Sequence, residues 1–475
     1  MLPRHNIPQL LTTNIINIIM TTINSNKRTT SSAISTTDDD ALLLHKKFAK
    51  SLPKIELHAH LNGSIREHTL IELATERNVT LPSKMITHEA EHHHSNDEEE
   101  EALLFWNTHP RSLQDCFEVF EYIPKCVNDL VALRRIAEEV LMDAAEDGVV
   151  YIELRTGPKC LLRRYCHNDN DDDDDDDRMA TKREYVETIV EVMQEFEKKE
   201  HIRYENEMEK KCQRRDDNET NSSAQDDRMQ QIVKLPLIPR LIISVDRAGT
   251  IEQADENINL AIELFQQQQQ QQQPSDHQNY IVGVELGGNP TRNDFTTFEP
   301  SFERARRAGL HVAIHIGEVP MQPNDTRYNE ALAVINFRPD RLGHALTLST
   351  SLIELLDKNP IPIECCPTSN TMTLDYALHH EGSLIDGIKM HPHLKKWIEC
   401  NYPISINTDD SGIFCTNMTK ELFLIAKVFD FDEKKLSTIV LDSVDHVFDD
   451  DIRVKLRNDI QSVLVEMMII EDGGE

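Results

Sequence analysis

Short apolar runs, rich in β-branched residues, recur along the chain and alternate with stretches of helical periodicity. Strands of a parallel sheet give such near-continuous apolar runs because both of their faces are covered. Strands are predicted at residues 54–61, 149–156, 240–246, 280–286, 311–316, 341–346, 361–366 and 402–408. Helical spacing of apolar residues follows most of these runs, as in residues 69–77 and 417–428.

This alternation of eight strands with helices predicts an α/β fold in which parallel βα units close into a (β/α)8 TIM barrel. The alternative is an open doubly wound sheet, but no glycine-rich phosphate loop follows the first predicted strand. We expect a single barrel domain over residues 51–475, preceded by a disordered or targeting tail over residues 1–50.

Four segments interrupt the pattern. They are residues 88–101 with a cluster of His and Glu, residues 166–178 with seven consecutive Asp, the charged residues 199–232, and residues 266–274 with eight consecutive Gln. None carries enough apolar surface to offset the entropy lost on ordering, so all four are predicted to be solvated loops. The run His92–His94 can bind metal adventitiously, although a plain polar loop is the expectation.

The first 37 residues contain no acidic residue but carry Arg4, Lys27, Arg28 and many Ser and Thr residues. This composition is typical of a disordered polar tail and also of a mitochondrial transit peptide. We expect a cytoplasmic protein, with a mitochondrial location as the alternative.

The chain carries 83 acidic against 50 basic residues, which gives a formal net charge of −33. Such a charge repels nucleic acid and anionic membranes, and no apolar run reaches the length of about 18 residues that a membrane span needs. The nine cysteines contain no CxxC pair, which favours a reducing compartment over a disulfide framework. The expected partner is a small molecule, and the expected assembly is a monomer.

Two histidines on the first predicted strand, His58 and His60, are separated by one residue. Side chains alternate along a strand, so both imidazoles point to the same side and can bind one metal ion. An isolated HxH pair is weak evidence for a metal site, because half-buried histidines are common on strands.

Polar side chains also stand at the ends of later predicted strands. His315 and Glu318 lie at the end of the fifth strand, His344 at the end of the sixth, and Asp409 and Asp410 after the eighth. The carboxyl ends of barrel strands converge on the face that carries the active sites of such folds. We therefore expect these residues to meet the two histidines of the first strand at one mouth.

The chemistry of this set suits zinc, which binds imidazole nitrogen and carboxylate oxygen and leaves one position for water in catalytic sites. The expected ligands are His58, His60, His315 and Asp409. No bridging lysine is evident, so one Zn2+ per chain is favoured over two. Zinc would lower the pKa of a bound water towards about 7, and His344 and Asp410 are the candidates to hold that water.

Seven motifs, in this order, resemble those of the adenosine deaminase family. They are PKIELHAHLNGS (53–64), VVYIELRTGP (149–158), GVELGGNPT (283–291), HIGEVP (315–320), DRLGHAL (340–346), CCPTSN (365–370) and NTDDSG (407–412). The resemblance extends over nearly the whole chain outside the tail and the insertions. It implies a barrel of the metal-dependent hydrolase type that uses zinc to remove an amino group from an adenine ring.

The resemblance also implies roles for the matched positions. Glu318 would protonate N1 of the purine, which requires a raised pKa that a closed apolar pocket can supply. His344 would orient the attacking water and take its proton, and Asp410 would bind N7 and help to hold the water. Gly288 would offer its backbone N–H to N3, where the lack of a side chain allows close approach.

Several residues concern the sugar and the 5′ group of the substrate. Asn62 stands where classical members of the family carry an acid, so a 5′-phosphate would not be repelled there. Phosphate contacts are expected from the turn formed by Arg155, Thr156, Gly157 and Pro158, which Lys159 follows. Asp246 would bind the sugar or else cap a helix. His60 is also expected to contact the substrate.

Two positions depart from the branch of the family that the chain most resembles. Pro124 stands in the segment CFEVFEYIPKC where that branch has a histidine that touches substrate. The turn Thr156–Pro158 replaces a Ser-Thr-Pro turn. Both departures bear on the phosphate pocket, and neither affects the metal ligands.

The branch in question removes methylamine from N6-methyl-AMP. The expected activity is therefore hydrolysis at C6 of N6-methyl-AMP and other N6-substituted AMPs, giving IMP and an alkylamine. One alternative is an adenosine deaminase that converts adenosine to inosine. The other is a catalytically inactive barrel that acts as a binding protein, against which the complete ligand set and Glu318 argue.

Overall fold

The computed structural model describes residues 46–82, 113–163, 178–216, 232–271, 279–320, 326–374 and 383–472. The predictions for residues 1–45, for His92–His94 and for the Asp run at 171–177 lie outside these residues. None of the described helices is long and apolar enough to span a membrane.

Eight parallel strands form one sheet, and their spatial order follows the chain. They are β1 (Lys54–His60), β2 (Val149–Thr156), β3 (Ile238–Asp246), β4 (Ile281–Gly287), β5 (His311–Ile316), β6 (Arg341–His344), β7 (Ile363–Cys365) and β8 (Ile404–Ile406). Ala59 on β1 bridges Asp409 just after β8, and the backbone N–H of Asp409 donates to the His58 carbonyl at 2.9 Å. The sheet is thus nearly closed, which confirms the predicted TIM barrel.

Helices connect and cover the strands. The main ones are α1 (Glu67–Glu76), α2 (Leu113–Cys126), α3 (Leu130–Glu146), α4 (Lys182–Asp216), α5 (Ile251–Gln271), α6 (Phe295–Ala308), α7 (Thr326–Phe337), α8 (Thr350–Lys358), α9 (Pro367–Thr373), α10 (Leu384–Lys389), α11 (Leu394–Glu399), α12 (Met418–Phe429), α13 (Glu433–Ser443) and α14 (Arg453–Asp472). The helices predicted at residues 69–77 and 417–428 correspond to α1 and α12. Asn417 caps α12, because its side chain accepts the backbone N–H of Lys420 at 2.8 Å.

The prediction of loops over residues 199–232 and 266–274 is wrong in part. Helix α4 continues through its charged second half to Asp216, where Arg203 pairs with Glu207 at 3.0 Å and Lys211 pairs with Glu466 of α14 at 2.5 Å. Helix α5 continues into the Gln run as far as Gln271. Both segments extend helices that already exist, and residues with high helix propensity need no apolar face of their own for that.

The opposite ends of the barrel differ in what fills them. Phe448 packs with Ile242, Val282 and Ala313 near the strand starts, and the guanidinium of Arg341 lies 3.4 Å from the centre of its ring. The barrel is filled at this end. The side chains that face an open cavity stand at the carboxyl ends of the strands.

Candidate active site

A cavity of about 510 Å³ opens at the carboxyl ends of the strands. The predicted site residues that line it are His60, Asn62, Arg155, Thr156, Gly157, Asp246, Gly288, His315, Glu318, His344, Asp409 and Asp410. His58 is fully buried beside it, and Pro158 is buried without lining it. The structure therefore brings together, at one mouth, predicted site residues from six of the seven sequence motifs and Asp246 from outside them.

The predicted metal ligands face one another. His60 Nε2 lies 3.2 Å from His58 Nε2 and 3.3 Å from His315 Nε2. Asp409 Oδ1 lies 3.3 Å from His58 Nε2 and 3.4 Å from His60 Nε2. Ligands held about 2.0–2.1 Å from a tetrahedral zinc ion are about 3.4 Å apart, so this set has the spacing that zinc needs.

The other ring nitrogen of each histidine faces a buried carboxylate. His58 Nδ1 lies 2.7 Å from Glu364 Oε2, and the Glu285 carboxylate lies 3.6 Å from His60 Nδ1 and 3.7 Å from His315 Nδ1. The Glu364 carboxylate is placed to orient His58 and to fix the tautomer that presents Nε2 to a metal ion, whereas Glu285 lies beyond hydrogen-bond distance and His315 Nδ1 has no hydrogen-bond partner among the described residues.

Burial and neighbouring charges set the protonation of the cluster. Burial lowers the pKa of His60 to about 4 and lowers the pKa of His315 well below its usual range. Burial and Arg155 lower the pKa of His58, but the carboxylates of Glu364 and Asp409 outweigh them and raise it to about 9. Burial would raise the pKa of Asp409, yet its hydrogen bond to His58 and the nearby histidines lower it strongly. His60 and His315 are therefore favoured as neutral imidazoles and Asp409 as an anionic carboxylate, whereas His58 must lose a proton before its Nε2 can bind zinc.

Two further carboxyl groups in the cavity are favoured in their protonated form. Burial raises the pKa of Glu318, and burial together with Asp409 and Glu285 raises the pKa of Asp410 well above its usual range. Glu318 Oε1 and Asp410 Oδ1 are buried and have no hydrogen-bond partner within the described residues. Both groups can therefore offer a proton to a ligand in the cavity.

His344 is held from behind by an amide. Its Nδ1 lies 2.9 Å from Asn370 Oδ1, and Asn370 Nδ2 lies 3.3 Å from Nε2 of the buried His391. The remaining nitrogen, Nε2, lies 4.0 Å from Asp409 Oδ2, on the metal side of the ring. This arrangement suits a histidine that exchanges a proton with a group next to the metal.

The backbone is unusual where the site residues emerge from the strands. His344 and Asp409 adopt positive φ angles of 60° and 67°. Left-handed backbone in residues other than glycine is uncommon and clusters at functional sites. Two glycines make room for site carboxylates, because a Cβ atom at Gly63 would overlap Asp410 and one at Gly288 would overlap Asp246.

The far side of the cavity holds polar groups suited to a sugar or a 5′ substituent. The Tyr185 hydroxyl hydrogen-bonds to Thr156 Oγ1 at 2.7 Å and to the Asn62 side chain. Asp246 Oδ1 accepts the backbone N–H of Ala248 at 2.8 Å, so this acid caps a turn as well as lining the cavity. Lys159, Arg292 and Pro124 also line it.

Arg155 is not placed to bind phosphate in the way the sequence predicts. Its side chain is fully buried, and its guanidinium donates to Glu285 Oε2 at 2.7 Å, to Glu364, and to the Leu57 carbonyl at 2.6 Å. Arg155 projects from β2 between Glu285 of β4 and Glu364 of β7, so its charge is neutralised inside the barrel. Of the predicted phosphate turn, Thr156, Gly157 and the adjoining Lys159 remain on the cavity wall.

Sequence reasoning missed several residues of the site. Glu285 and Glu364 lie inside apolar strand runs. Ser369, a residue of helix α9, donates its hydroxyl to Asp409 Oδ2 at a distance of 2.6 Å. Asn370 reaches the site from within helix α9, and Arg292 reaches it from the loop that follows β4. The signal that could have revealed Glu285 and Glu364 is their charge within a strand predicted to be buried, because a buried charge needs a partner.

Comparisons with known proteins agree with this geometry. The family model "Adenosine deaminase" matches residues 53–220 and 260–463. The N6-mAMP deaminase of Arabidopsis thaliana is 30% identical over 412 residues, which cover 86% of this chain and 97% of the relative. The N6-Methyl-AMP deaminase of Homo sapiens is 26% identical over 421 residues, which cover 86% of this chain and 93% of the relative.

A solved structure extends the likeness to three dimensions. The crystal structure of Arabidopsis ADAL complexed with IMP has a TM-score of 0.62 and 28% sequence identity, and the match covers 89% of this chain and 99% of that chain. This chain belongs to the adenosine deaminase family. It is a hydrolase that acts as a deaminase, which confirms the family and the enzyme class predicted from its motifs.

Proposed function

We propose that the protein is a zinc-dependent deaminase that hydrolyses N6-methyl-AMP and other N6-substituted AMPs at C6, giving IMP and an alkylamine. The observation that carries the proposal is one cavity whose wall holds the His/Asp cluster, the buried carboxyl groups of Glu318 and Asp410, the neutral side chain of Asn62, and the basic residues Lys159 and Arg292. Relatives named as N6-methyl-AMP deaminases, at 26–30% identity over most of the chain, support the same substrate.

Zinc fits the donor set of His58, His60, His315 and Asp409, since three imidazole nitrogens and one carboxylate oxygen at this spacing match its preferences. When bound, zinc supplies Lewis-acid activation of water near neutral pH. His344 faces the same side of Asp409 and accepts the proton that the water loses.

The purine ring offers three acceptor nitrogens, and the cavity offers a donor for each. The protonated Glu318 carboxyl donates to N1 and withdraws electrons from C6. The protonated Asp410 carboxyl donates to N7, and the backbone N–H of Gly288, a position where a side chain would overlap Asp246, donates to N3. The water oxygen adds to C6, and one water proton passes through His344 to the departing nitrogen. The C6–N6 bond then breaks, which releases the alkylamine and leaves a carbonyl at C6, while the second water proton restores the carboxyl of Glu318.

The preference for a nucleotide rests on the charge at the other end of the cavity. An acid at position 62 would meet a 5′-phosphate at close range, and two unit charges about 4 Å apart repel by about 4 kcal/mol at an effective dielectric constant near 20. Asn62 carries no charge, and the cationic Lys159 and Arg292 line the same space. These groups attract a phosphate dianion and leave a free 5′-hydroxyl without a special partner.

The decisive assay compares N6-methyl-AMP, N6-methyladenosine, AMP and adenosine as substrates, read by ultraviolet shift and amine release. Asn62→Asp should lower kcat/KM for N6-methyl-AMP at least about tenfold more than for N6-methyladenosine, which corresponds to about 1.4 kcal/mol. Asn289→Asp, in a residue that also lines the cavity, is a matched control for an added charge. A wild-type enzyme that prefers free nucleosides, by a ratio that Asn62→Asp does not change, would make it an adenosine deaminase instead.

The metal is tested by elemental analysis of protein purified without chelator. We expect about one zinc per chain, and His58→Ala and Asp409→Ala should lose zinc and activity together. Full activity in protein that contains no metal would refute the zinc site.

A further inference from the structure

Arg155 lies at the end of β2, inside the barrel, beneath the cluster of predicted zinc ligands. One terminal nitrogen of its guanidinium donates to Glu285 Oε2 at 2.7 Å. The other donates to Glu364 and to the backbone carbonyl of Leu57 on β1 at 2.6 Å. The side chain therefore ties β2 to β1, β4 and β7 at the level of the cluster.

The two carboxylates that Arg155 joins are those that face the histidines. Glu364 uses its second oxygen on His58 Nδ1 at 2.7 Å. Glu285 places one oxygen 3.6 Å from His60 Nδ1 and the other 3.7 Å from His315 Nδ1, and Ser244 Oγ donates to it at 2.6 Å. Each of the three histidines thus has its rear nitrogen next to a carboxylate that Arg155 anchors.

We propose that Arg155 is the positioning residue of the metal site, which fixes the two carboxylates so that His58, His60 and His315 present Nε2 to the ion. This inference rests on the zinc site of the proposed function. A planar guanidinium can hold two carboxylates and a carbonyl at once in a fixed arrangement, whereas the point charge of a lysine cannot. Removal of the guanidinium leaves Glu285 without its cationic partner and leaves Glu364 with Arg341 alone, so that both carboxylates can turn away from the histidines.

The test measures zinc affinity rather than turnover. Wild type, Arg155→Lys and Arg155→Met are stripped of metal, checked for folding by circular dichroism, and titrated with zinc against a chromophoric chelator. Loss of groups that orient metal ligands costs about 10- to 100-fold in metal affinity. We expect a weakening of that size for Arg155→Met and a smaller one for Arg155→Lys.

Arg240 provides the matched control. It is also buried in the barrel wall and pairs with two acids, with Asp449 at 2.7 Å and Glu197 at 3.4 Å, but neither acid contacts a histidine of the cluster. Arg240→Met should lower stability as Arg155→Met does, and should leave the zinc affinity of the folded protein unchanged. Glu364→Gln, which removes only one of the two carboxylates, should weaken zinc binding in the same direction as Arg155→Met.

Several results overturn the proposal. One is a folded Arg155→Met or Arg155→Lys protein with wild-type zinc affinity. Another is a variant that keeps zinc but shows a raised KM for N6-methyl-AMP alone, which would make Arg155 a phosphate ligand. If Arg155→Met does not fold, the decision rests on Arg155→Lys and Glu364→Gln. Zinc affinities equal to that of wild type in both of these variants would refute the role. Absence of zinc binding in wild type is a different outcome, because it refutes the proposed zinc site itself.

Discussion

At the scale of single residues, the site separates two carboxyl groups that are neighbours in sequence. Asp409 is ionised because it accepts hydrogen bonds from His58 and from Ser369, whereas Asp410 is buried beside that negative charge and holds a proton. Environments that push neighbouring pKa values apart assign one group as ligand and the other as donor. The same logic makes Glu318 the second proton donor.

Glu318→Gln tests this assignment directly. The substitution preserves the size of the side chain and removes the proton that reaches N1. Because Glu318 is not a metal ligand, the variant should keep its zinc and still bind purine riboside analogues. Its kcat should fall by roughly 10²- to 10⁴-fold, the usual range for a lost general acid. Turnover close to wild type, measured in zinc-loaded protein, would contradict the role.

The residue scale also shows what a sequence can predict about such a site. The spacing of His58 and His60 and the strand-end positions of His315 and Asp409 were sufficient to predict which side chains meet, because strand periodicity and barrel geometry are general. The partners of Arg155 were not predictable in this way. Its neighbours Glu285 and Glu364 lie on strands far along the chain, and only the register of the sheet brings them within reach.

At the scale of elements, the strands follow their apolar runs closely, and the errors fall at ends. Strand β2 has the predicted bounds, whereas β6 ends at His344, since the positive φ of His344 and Ala345 turns the chain out of the sheet. The charged second half of α4 was predicted as a loop because its apolar periodicity fades. Ion pairs and helix propensity continue the helix there, and neither leaves a periodic apolar signal.

Helix α3 depends on one acid that has two roles. Asp129 caps the helix by accepting the backbone N–H of Ala132 at 2.8 Å, and its other oxygen accepts from Arg77 at 2.8 Å in a buried ion pair. Asp129→Ala should lower the free energy of unfolding by about 2 kcal/mol, since a cap alone contributes about 1 kcal/mol and Arg77 loses its buried partner and keeps only its pair with the exposed Glu76. Urea unfolding measures the change, and kcat of the folded enzyme should not alter.

Asp432 is the control for this prediction. It caps α13 through the backbone N–H of Lys435 at 2.8 Å but is exposed. Asp432→Ala should therefore lower the free energy of unfolding only by the contribution of the cap, about 1 kcal/mol. Equal losses of stability for the two variants would show that the Arg77 pair adds nothing.

At the scale of the whole molecule, the net charge of −33 contrasts with the interior of the barrel, where acidic and basic side chains occur together. Inside, charges are paired, as Arg341 is with Glu153 and with Glu364 at 2.6 Å. These pairs allow the barrel to hold buried carboxylates next to the histidine cluster. A buried ionic network contributes less to stability than to holding groups in fixed positions, while one missing member is costly.

His311 connects the barrel to the segment around Phe448 and Asp450, which covers the end of the barrel where the strands start. His311 begins β5, with Nδ1 at 3.3 Å from Asp340 and Nε2 at 3.6 Å from Asp450, and its ring stacks on Phe448. Burial would lower the pKa of His311, but these two carboxylates outweigh it and raise the pKa to about 9. A histidine in the unfolded chain titrates near pH 6.5.

The protonated form is therefore stabilised by folding, which sets the sign of a pH effect. The contribution of His311 should be complete below about pH 6.5 and should disappear as the pH rises through 9. His311→Gln should lower the free energy of unfolding by at most roughly 3 kcal/mol more at about pH 6 than at about pH 9.5. The loss of stacking on Phe448 is the same at both pH values, so it does not enter this difference. His201→Gln, in an exposed histidine of α4, provides the control in chemical unfolding at the two pH values. A loss for His311→Gln that is as large at the higher pH would mean that its ring packs against Phe448 without carrying the charge that holds Asp340 and Asp450.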